Sequence, residues 1–328
     1  MADESAATEF FQSVENTIRR AVSLDPERRG PQPRVLEDAA GHLSLATGAK
    51  RIRPRLIQFL GQQLGVRLKS LVELAAAAEL IHTASLLHDD VVDEGRVRRG
   101  LATVNARWGN NVAVLAGDWM LSQAFHTLLR YPQALMVHAV ELIGEMSRGA
   151  VVELELWGRT DLTVDAWRAV AEGKTGSLFG YCAQSVALVA RRPEDGRPLG
   201  EFGRRLGISF QMADDLKDLL DESQGKDRFS DLRNKAPSFA LIYAAQHAPD
   251  LRERMLRLWS SPEVSAADAA AVGEEVARHR VMARTVEAFE REVAGAFELL
   301  RPYLREVDDA AGLTEALLGR FAWRRRAA

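Results

Sequence analysis

Two short stretches of this chain place three aspartates in the same pattern. "HDDVVDE" carries Asp89, Asp90 and Asp93, and "FQMADDLKDLLDE" carries Asp214, Asp215 and Asp218. On a helix, residues four apart stand one above the other, so Asp89 and Asp93 share a face, as do Asp214 and Asp218. Each cluster follows a run of apolar or small residues, "ELIHTASLL" and "FGRRLGISFQMA". Acids at the C-terminal part of a helix oppose its dipole, and like charges this close raise one another's pKa. A bound divalent cation relieves both effects, and an all-oxygen donor set suits Mg²⁺ or Ca²⁺ rather than zinc. One such cluster would pass for a solvated helix end. Two of them point to helices that aim both sets of carboxylates into one cavity, as metal-carboxylate bundles do.

Cations accompany the acids. Arg98 and Arg99 follow the first cluster, and Lys226 and Lys235 follow the second. "GAKRIRP" supplies Lys50, Arg51 and Arg53, while "EGKTG" supplies Lys174 beside the Thr175 hydroxyl. The chain holds only six lysines, at 50, 69, 174, 217, 226 and 235, against a large majority of arginines. A lysine kept in so arginine-rich a chain suggests a need for a compact point charge. Carboxylates alone suggest metal binding; carboxylates with many cations suggest metal-bridged phosphates, and two cationic sets suit two diphosphates. His82 lies seven residues before Asp89, two turns along the same face, which makes it a candidate donor to phosphate.

The elements that position these groups read as helices throughout, because apolar residues recur at three and four and no sustained strand alternation is found. The spacing predicts helices over 5–24, 35–47, 53–65, 71–94, 105–130, 133–157, 164–191, 200–222, 236–247, 264–277, 280–304 and 309–323. Breaks rich in Gly, Pro and turn-forming residues separate them, none long enough for a flexible linker. An all-α, single-domain helical bundle spanning 1–328 with a central cavity is therefore expected. Of the 328 residues, 47% are hydrophobic and 27% charged, and the net charge of -3 gives no global attraction to nucleic acid. The single cysteine, Cys182, sits among apolar residues and reads as a buried, inert thiol of a reducing compartment. The acidic start lacks a secretory pattern, and no run approaches the eighteen or so apolar residues of a membrane span, so a cytoplasmic location is expected.

Taken together and in order, "GAKRIRP", "LIHTASLLHDDVVDEGRVRRGLATVNARWGN", "VLAGDWML", "GKTGSLF" and "FQMADDLKDLLD" followed by "GKDRFSDLRNKAPSF" resemble the trans-type (E) polyprenyl diphosphate synthases over nearly the whole chain. The resemblance implies an isoprenoid-synthase helical bundle and a prenyltransferase that condenses isopentenyl diphosphate with an allylic prenyl diphosphate. It implies three Mg²⁺ ions on the allylic diphosphate, held by Asp89, Asp90, Asp93, Asp214, Asp215 and, less directly, Asp218. Arg98, Lys174 and Lys226 match residues that contact the same diphosphate. Thr175 and Gln211 match polar residues lining the reaction centre, and Lys50, Arg53, His82 and Arg99 match the isopentenyl diphosphate pocket. A homodimer is also implied. In the family a bulky aromatic one turn before the first motif gives short products; here Ser85, Ala84 and Ile81 leave that turn without one, which implies at least four isoprene units, C20 or longer.

Two departures stand out. Ala49 replaces the second glycine of the first motif, and Ala236 stands where the family commonly has lysine, which weakens one diphosphate contact or shifts it to Lys235, one place earlier. Rival readings are a class I terpene cyclase, which would have no use for "GAKRIRP", His82 and "RRG", and a noncatalytic subunit of a heteromeric synthase. A helical phosphohydrolase could begin at His88 and Asp89 but lacks further histidine-aspartate pairs. The basic C-terminal "RFAWRRRAA" offers a weak contact with anionic membrane, or is simply a solvated tail.

Overall fold

The computed structural model describes residues 2–24, 33–46, 49–98, 100–157, 159, 161–220, 228–306 and 308–318. In chain order its elements are α1 (Ala2–Val22), α2 (Arg34–Ser44), α3 (Ile52–Gln63), α4 (Val72–Val92), β1 (Val97–Arg98), β2 (Leu101–Ala102), α5 (Val104–Trp108), α6 (Asn110–Leu128), α7 (Gln133–Leu156), α8 (Val164–Ala171), α9 (Ser177–Val189) and α10 (Gly196–Leu220). There follow α11 (Ser230–Asn234), α12 (Phe239–His247), α13 (Pro249–Trp259), α14 (Ala266–Arg278), α15 (Val281–Leu300) and α16 (Asp308–Leu318). The chain is all-α; the only sheet among the described residues is the antiparallel ribbon of β1 and β2, with Val97 opposite Ala102 and Arg98 opposite Leu101. Two compact units divide it, residues 1–140 with 181–197 and residues 141–180 with 198–328.

In the first unit α4 is the core helix, packed against α1, α3 and α6. Leu74, Ala75 to Ala78, Leu80, Ile81, Ala84 and Leu87 are fully buried. Alanine is the best helix former and its small side chain lets neighbouring helices approach. Leu68–Val92 is long and apolar enough to span a bilayer by composition, contrary to the sequence expectation, but most of it is buried within the protein, as befits a core helix. Arg51, at φ 49° just before α3, ties three segments together: its guanidinium donates to Glu15 of α1 (2.8 Å), Glu79 of α4 (3.1 Å) and the Ser44 carbonyl (2.7 Å).

In the second unit a π-turn, Glu172–Gly176, joins α8 to α9 within the stretch expected to be one helix. Its backbone lies so near α7 that a Cβ on Gly149 would come 2.9 Å from the Gly173 carbonyl carbon and the Lys174 nitrogen. Such turns recur at functional sites because they reaim side chains without ending the helical run. A half-buried ion cluster joins three helices: Arg168 of α8 donates twice to Glu292 of α15 (2.9 Å each), and Arg205 of α10 donates to the same carboxylate at 3.1 Å.

Other differences from expectation have local causes. Gly109 at φ 87° splits the expected 105–130 helix into α5 and α6. Helix α13 went unrecognised because Arg252, Glu253, Arg254 and Arg257 mask a narrow apolar face in which only Leu251 and Met255 are buried. Pro249 occupies its first turn, where the missing N–H costs nothing.

Burial pushes the Glu292 carboxyl up, but the two arginines outweigh it and hold the group below its usual range. A depressed folded pKa contributes stability above the unfolded value of about 4.3, which is lost as pH falls through the folded pKa. Glu292→Gln should therefore cost about 2 kcal/mol near pH 7, less than a fully buried pair would because the arginines are partly solvated. In urea unfolding the gap between variant and parent should close as pH drops below about 4; a gap independent of pH would show that the ionised carboxylate is not what matters.

Candidate active site

The first aspartate cluster ends α4. The helix closes with Glu94 in the left-handed region at φ 52°, Gly95 N–H donating to the Asp90 carbonyl (2.9 Å), and Glu94 N–H donating to that of Val91 (3.4 Å). This is the Schellman pattern, which satisfies carbonyls that a helix end leaves open. Asn105 Nδ2 donates to the Asp90 and Gly95 carbonyls (3.0 Å each), and Thr103 Oγ1 donates to Gly95 (2.7 Å), so the loop that carries Arg98 is pinned. Arg98 Nε donates to Asp90 Oδ1 at 2.8 Å. Asp90 is buried, Asp89 half-buried and Asp93 exposed. Burial raises the Asp90 pKa, opposed by Arg98 and reinforced by the charge of Asp89. Its Oδ2 is buried without a hydrogen-bond partner. His88 packs across Gly117 of "VLAGDWML", where a Cβ would lie 2.2 Å from its Nε2.

In the same unit Lys50 is exposed, Arg53 is buried on the first turn of α3 and His82 is half-buried. Ala49 does not adopt positive φ, so alanine sits there without strain. Of the three residues expected to set product length, Ser85 is half-buried and its hydroxyl donates to the His82 carbonyl (2.8 Å). Ala84 and Ile81 are fully buried, so they are packed against neighbouring side chains and line no open space. Arg99, Lys226 and the tail from 319 lie outside the described residues.

The second cluster divides its three aspartates among three tasks. Asp214 is exposed and accepts from Lys217 Nζ at 3.1 Å. Asp215 is buried: its Oδ2 accepts from Trp167 Nε1 (3.0 Å) and Phe239 N (2.7 Å), and its Oδ1 accepts from Gln211 Nε2 (2.9 Å). Burial, with the charge of Asp214 adding to it, nevertheless pushes its pKa to about 7 against those three bonds. Asp218 caps α11, its Oδ1 accepting from Ser230 N (2.9 Å) and Ser230 Oγ (2.7 Å), its Oδ2 from Asp231 N (3.3 Å). Of the three expected metal ligands, Asp218 being the less direct, Asp214 alone is exposed and its protein partner is the Lys217 ammonium, whereas Asp215 and Asp218 accept from backbone and side-chain donors.

Lys174, on the π-turn, donates to Glu153 of α7, and the Thr175 hydroxyl donates to Gln211 Oε1 at 3.3 Å. Arg204 of α10 pairs with Glu145 of α7, one bond at 2.8 Å. Lys235 cannot stand in for a diphosphate contact: its ammonium donates to the Trp259 (3.0 Å) and Ser261 (2.6 Å) carbonyls, capping the end of α13.

Several participants were missed from sequence. Glu145 and Glu153 lie on a helix that also carries Glu141, Arg148 and Glu155, so neither stood out. Trp167 carried no signal. Asp231 lies in the quoted "GKDRFSD" segment, and the packing around it, then the charges of Asp215, Asp218 and Asp214, hold its pKa well above the carboxylate range.

Among the described residues no three His, Cys, Asp or Glu side chains form a ready-made metal cage. Mg²⁺ seldom uses one; it takes one or two carboxylates and completes its shell with water and substrate phosphate. Asp89, Asp93 and Asp214 offer hard oxygens of that kind, and the orphaned Oδ2 of Asp90 is a buried acceptor that a cation or its bound water would satisfy. The residues present fit such an ion.

The polyprenyl synthetase family model matches residues 33–276. Octaprenyl diphosphate synthase of Escherichia coli (strain K12) is 35% identical over 221 residues, 66% of this chain and 68% of that protein. Heptaprenyl diphosphate synthase component 2 of Geobacillus stearothermophilus is 32% identical over 301 residues, 90% of each. Among solved structures, polyprenyl synthase from Caulobacter crescentus CB15 complexed with calcium and isoprenyl diphosphate superposes with a TM-score of 0.84 at 26% identity, covering 97% of this chain and 96% of that one.

The divided roles predict different costs. Asp218→Ala should lose about 1–2 kcal/mol in urea unfolding, as a helix cap does. Asp214→Ala, at an exposed position, should stay within about 0.5 kcal/mol of the parent; equal losses would refute the division.

Proposed function

We infer that this chain, which belongs to the polyprenyl synthetase family and is a chain-elongating prenyltransferase, condenses isopentenyl diphosphate with an allylic prenyl diphosphate to an all-trans product of C20 or longer, with Mg²⁺. The observation that carries the reading is the pair of aspartate clusters together with cations steadied by carboxylates: Arg98 by Asp90 of the first cluster, and Lys174 by Glu153. The calcium and isoprenyl diphosphate named for the Caulobacter crescentus structure support the same ligand chemistry.

In the reaction the allylic C–O bond breaks with its electron pair leaving on diphosphate. The isopentenyl double bond attacks the allylic cation, a C–C bond forms, and a proton is lost to the released diphosphate. No protein nucleophile is needed. Bound Mg²⁺ would neutralise charge on the leaving diphosphate, held by Asp89, Asp93 and Asp214. Arg98, Lys174 and Lys226 bind oxygens of the allylic diphosphate, while Lys50, Arg53, His82 and Arg99 take the isopentenyl diphosphate. Thr175 and Gln211 present polar oxygens to the cation.

Product length follows from the α4 surface. Between His82 and Asp89 the partly open residues include Ser85, and no aromatic ring closes that turn. The assembly is proposed to be a homodimer, because α6 and α7 leave Leu115, Val137 and Val140 exposed as an apolar surface. The relative named as a component of a heptaprenyl synthase favours a second reading, a subunit that works only with a partner. Activity of the purified chain alone separates the two.

Chromatography of products from farnesyl and isopentenyl diphosphates should show chains of C20 or longer, and a farnesyl end product would rule this length out. Ser85→Phe fills room for about one five-carbon unit in a close-packed wall, so its product should shorten by about one isoprene unit or more; an unchanged product would remove Ser85 from the tunnel.

A further inference from the structure

The carboxylate of Asp215 dictates which end of the Gln211 amide faces Thr175. Asp215 Oδ1 accepts from the NH₂ of Gln211 at 2.9 Å, which turns the donor end of that amide toward Asp215. Its carbonyl oxygen is then left pointing to Thr175, whose hydroxyl donates to it. On its other side Asp215 is fixed by Trp167 Nε1 and by Phe239 N at the start of α12. Trp167 is itself buried, with its ring 5.2 Å from that of Phe239. The bonds form one directed chain that links two buried indole and backbone donors to two residues of the reaction centre.

We propose that Asp215 and Trp167 are positioning residues, which hold the Gln211 amide with its oxygen, and not its NH₂, toward Thr175 and the reacting carbon. The proposal rests on the elongation reading given above. A developing allylic cation is stabilised by the negative end of a preset dipole and opposed by the positive end, so reversing one amide changes the sign of its contribution. Asp214, exposed and one residue away, is left as the metal-facing acid.

The test compares Asp215→Asn, the double variant Asp215→Asn with Gln211→Glu, and Trp167→Phe. Asparagine keeps an oxygen for Trp167 and Phe239 but presents NH₂ to the NH₂ of Gln211, forcing that amide over. Glutamate at 211 restores an acceptor for both that NH₂ and the Thr175 hydroxyl, at unchanged net charge. Asp215→Asn should lower kcat about 30-fold or more, with both KM values and the half-saturating Mg²⁺ concentration within about threefold of the parent. The double variant should recover about tenfold of that loss. Trp167→Phe keeps the ring and removes the donor, and should lower kcat about threefold to tenfold with the same split.

Restoration of Asp215→Asn by excess Mg²⁺ would mark a direct metal ligand and overturn the proposal, as would a double variant no better than the single. If Asp215→Asn does not fold, Trp167→Phe decides: a kcat loss at constant KM supports the proposal and an unchanged kcat overturns it. A parent chain inactive with every primer would instead sink the elongation reading itself.

Discussion

A carboxylate at the end of an apolar helix must find a positive partner or give up its charge, and six aspartates in this chain face that demand. The fold answers it differently at each position. Asp90 and Asp215 turn inward and are met by protein donors, Arg98 in one case and Trp167, Phe239 and Gln211 in the other. Asp218 satisfies the first amides of α11. Asp214 stays exposed, and Asp89 and Asp93 stack on the less buried side of α4. The supporting architecture follows from these needs. The Schellman closure of α4 sets the path of the loop to Arg98, the π-turn aims Lys174 and Thr175, and the short helix α11 returns along the chain to receive a cap.

The same rule governs the cations. Lys174 and Arg98 are each steadied by a carboxylate, which limits the conformational freedom that a long basic side chain would lose on binding phosphate. Lys235 has been taken over by the carbonyls at the end of α13, and Arg51 by Glu15 and Glu79, so neither is a phosphate ligand despite lying in a basic motif. Basic residues therefore separate into those that hold the protein together and those held by it.

Much of this was legible in the sequence. Apolar spacing gave the helical class and most helix positions, and the repeated aspartate pattern with its lysines gave the chemistry. What could not be read was the direction of adjacent side chains. Asp214 and Asp215 are the same residue one place apart, yet about 100° around a helix separates an exposed carboxylate from a buried one. The cap on Asp218 comes from Ser230, twelve residues on, and the clamp on Asp215 comes from Trp167 and Phe239, 48 and 24 residues away. No local pattern encodes such partners. Ala84 and Ile81 were likewise placed on the right helix, but whether a small side chain borders open space depends on what the neighbouring helices bring.

Calorimetric titration of inorganic diphosphate into the purified chain, with and without Mg²⁺, tests most directly the claim that aspartates bind substrate through metal. Binding should tighten about 100-fold or more with Mg²⁺, about 2.7 kcal/mol, and Asp89→Ala or Asp214→Ala should remove most of that gain while the fold persists. Diphosphate binding that is indifferent to Mg²⁺, or a metal effect that survives both substitutions, would contradict it.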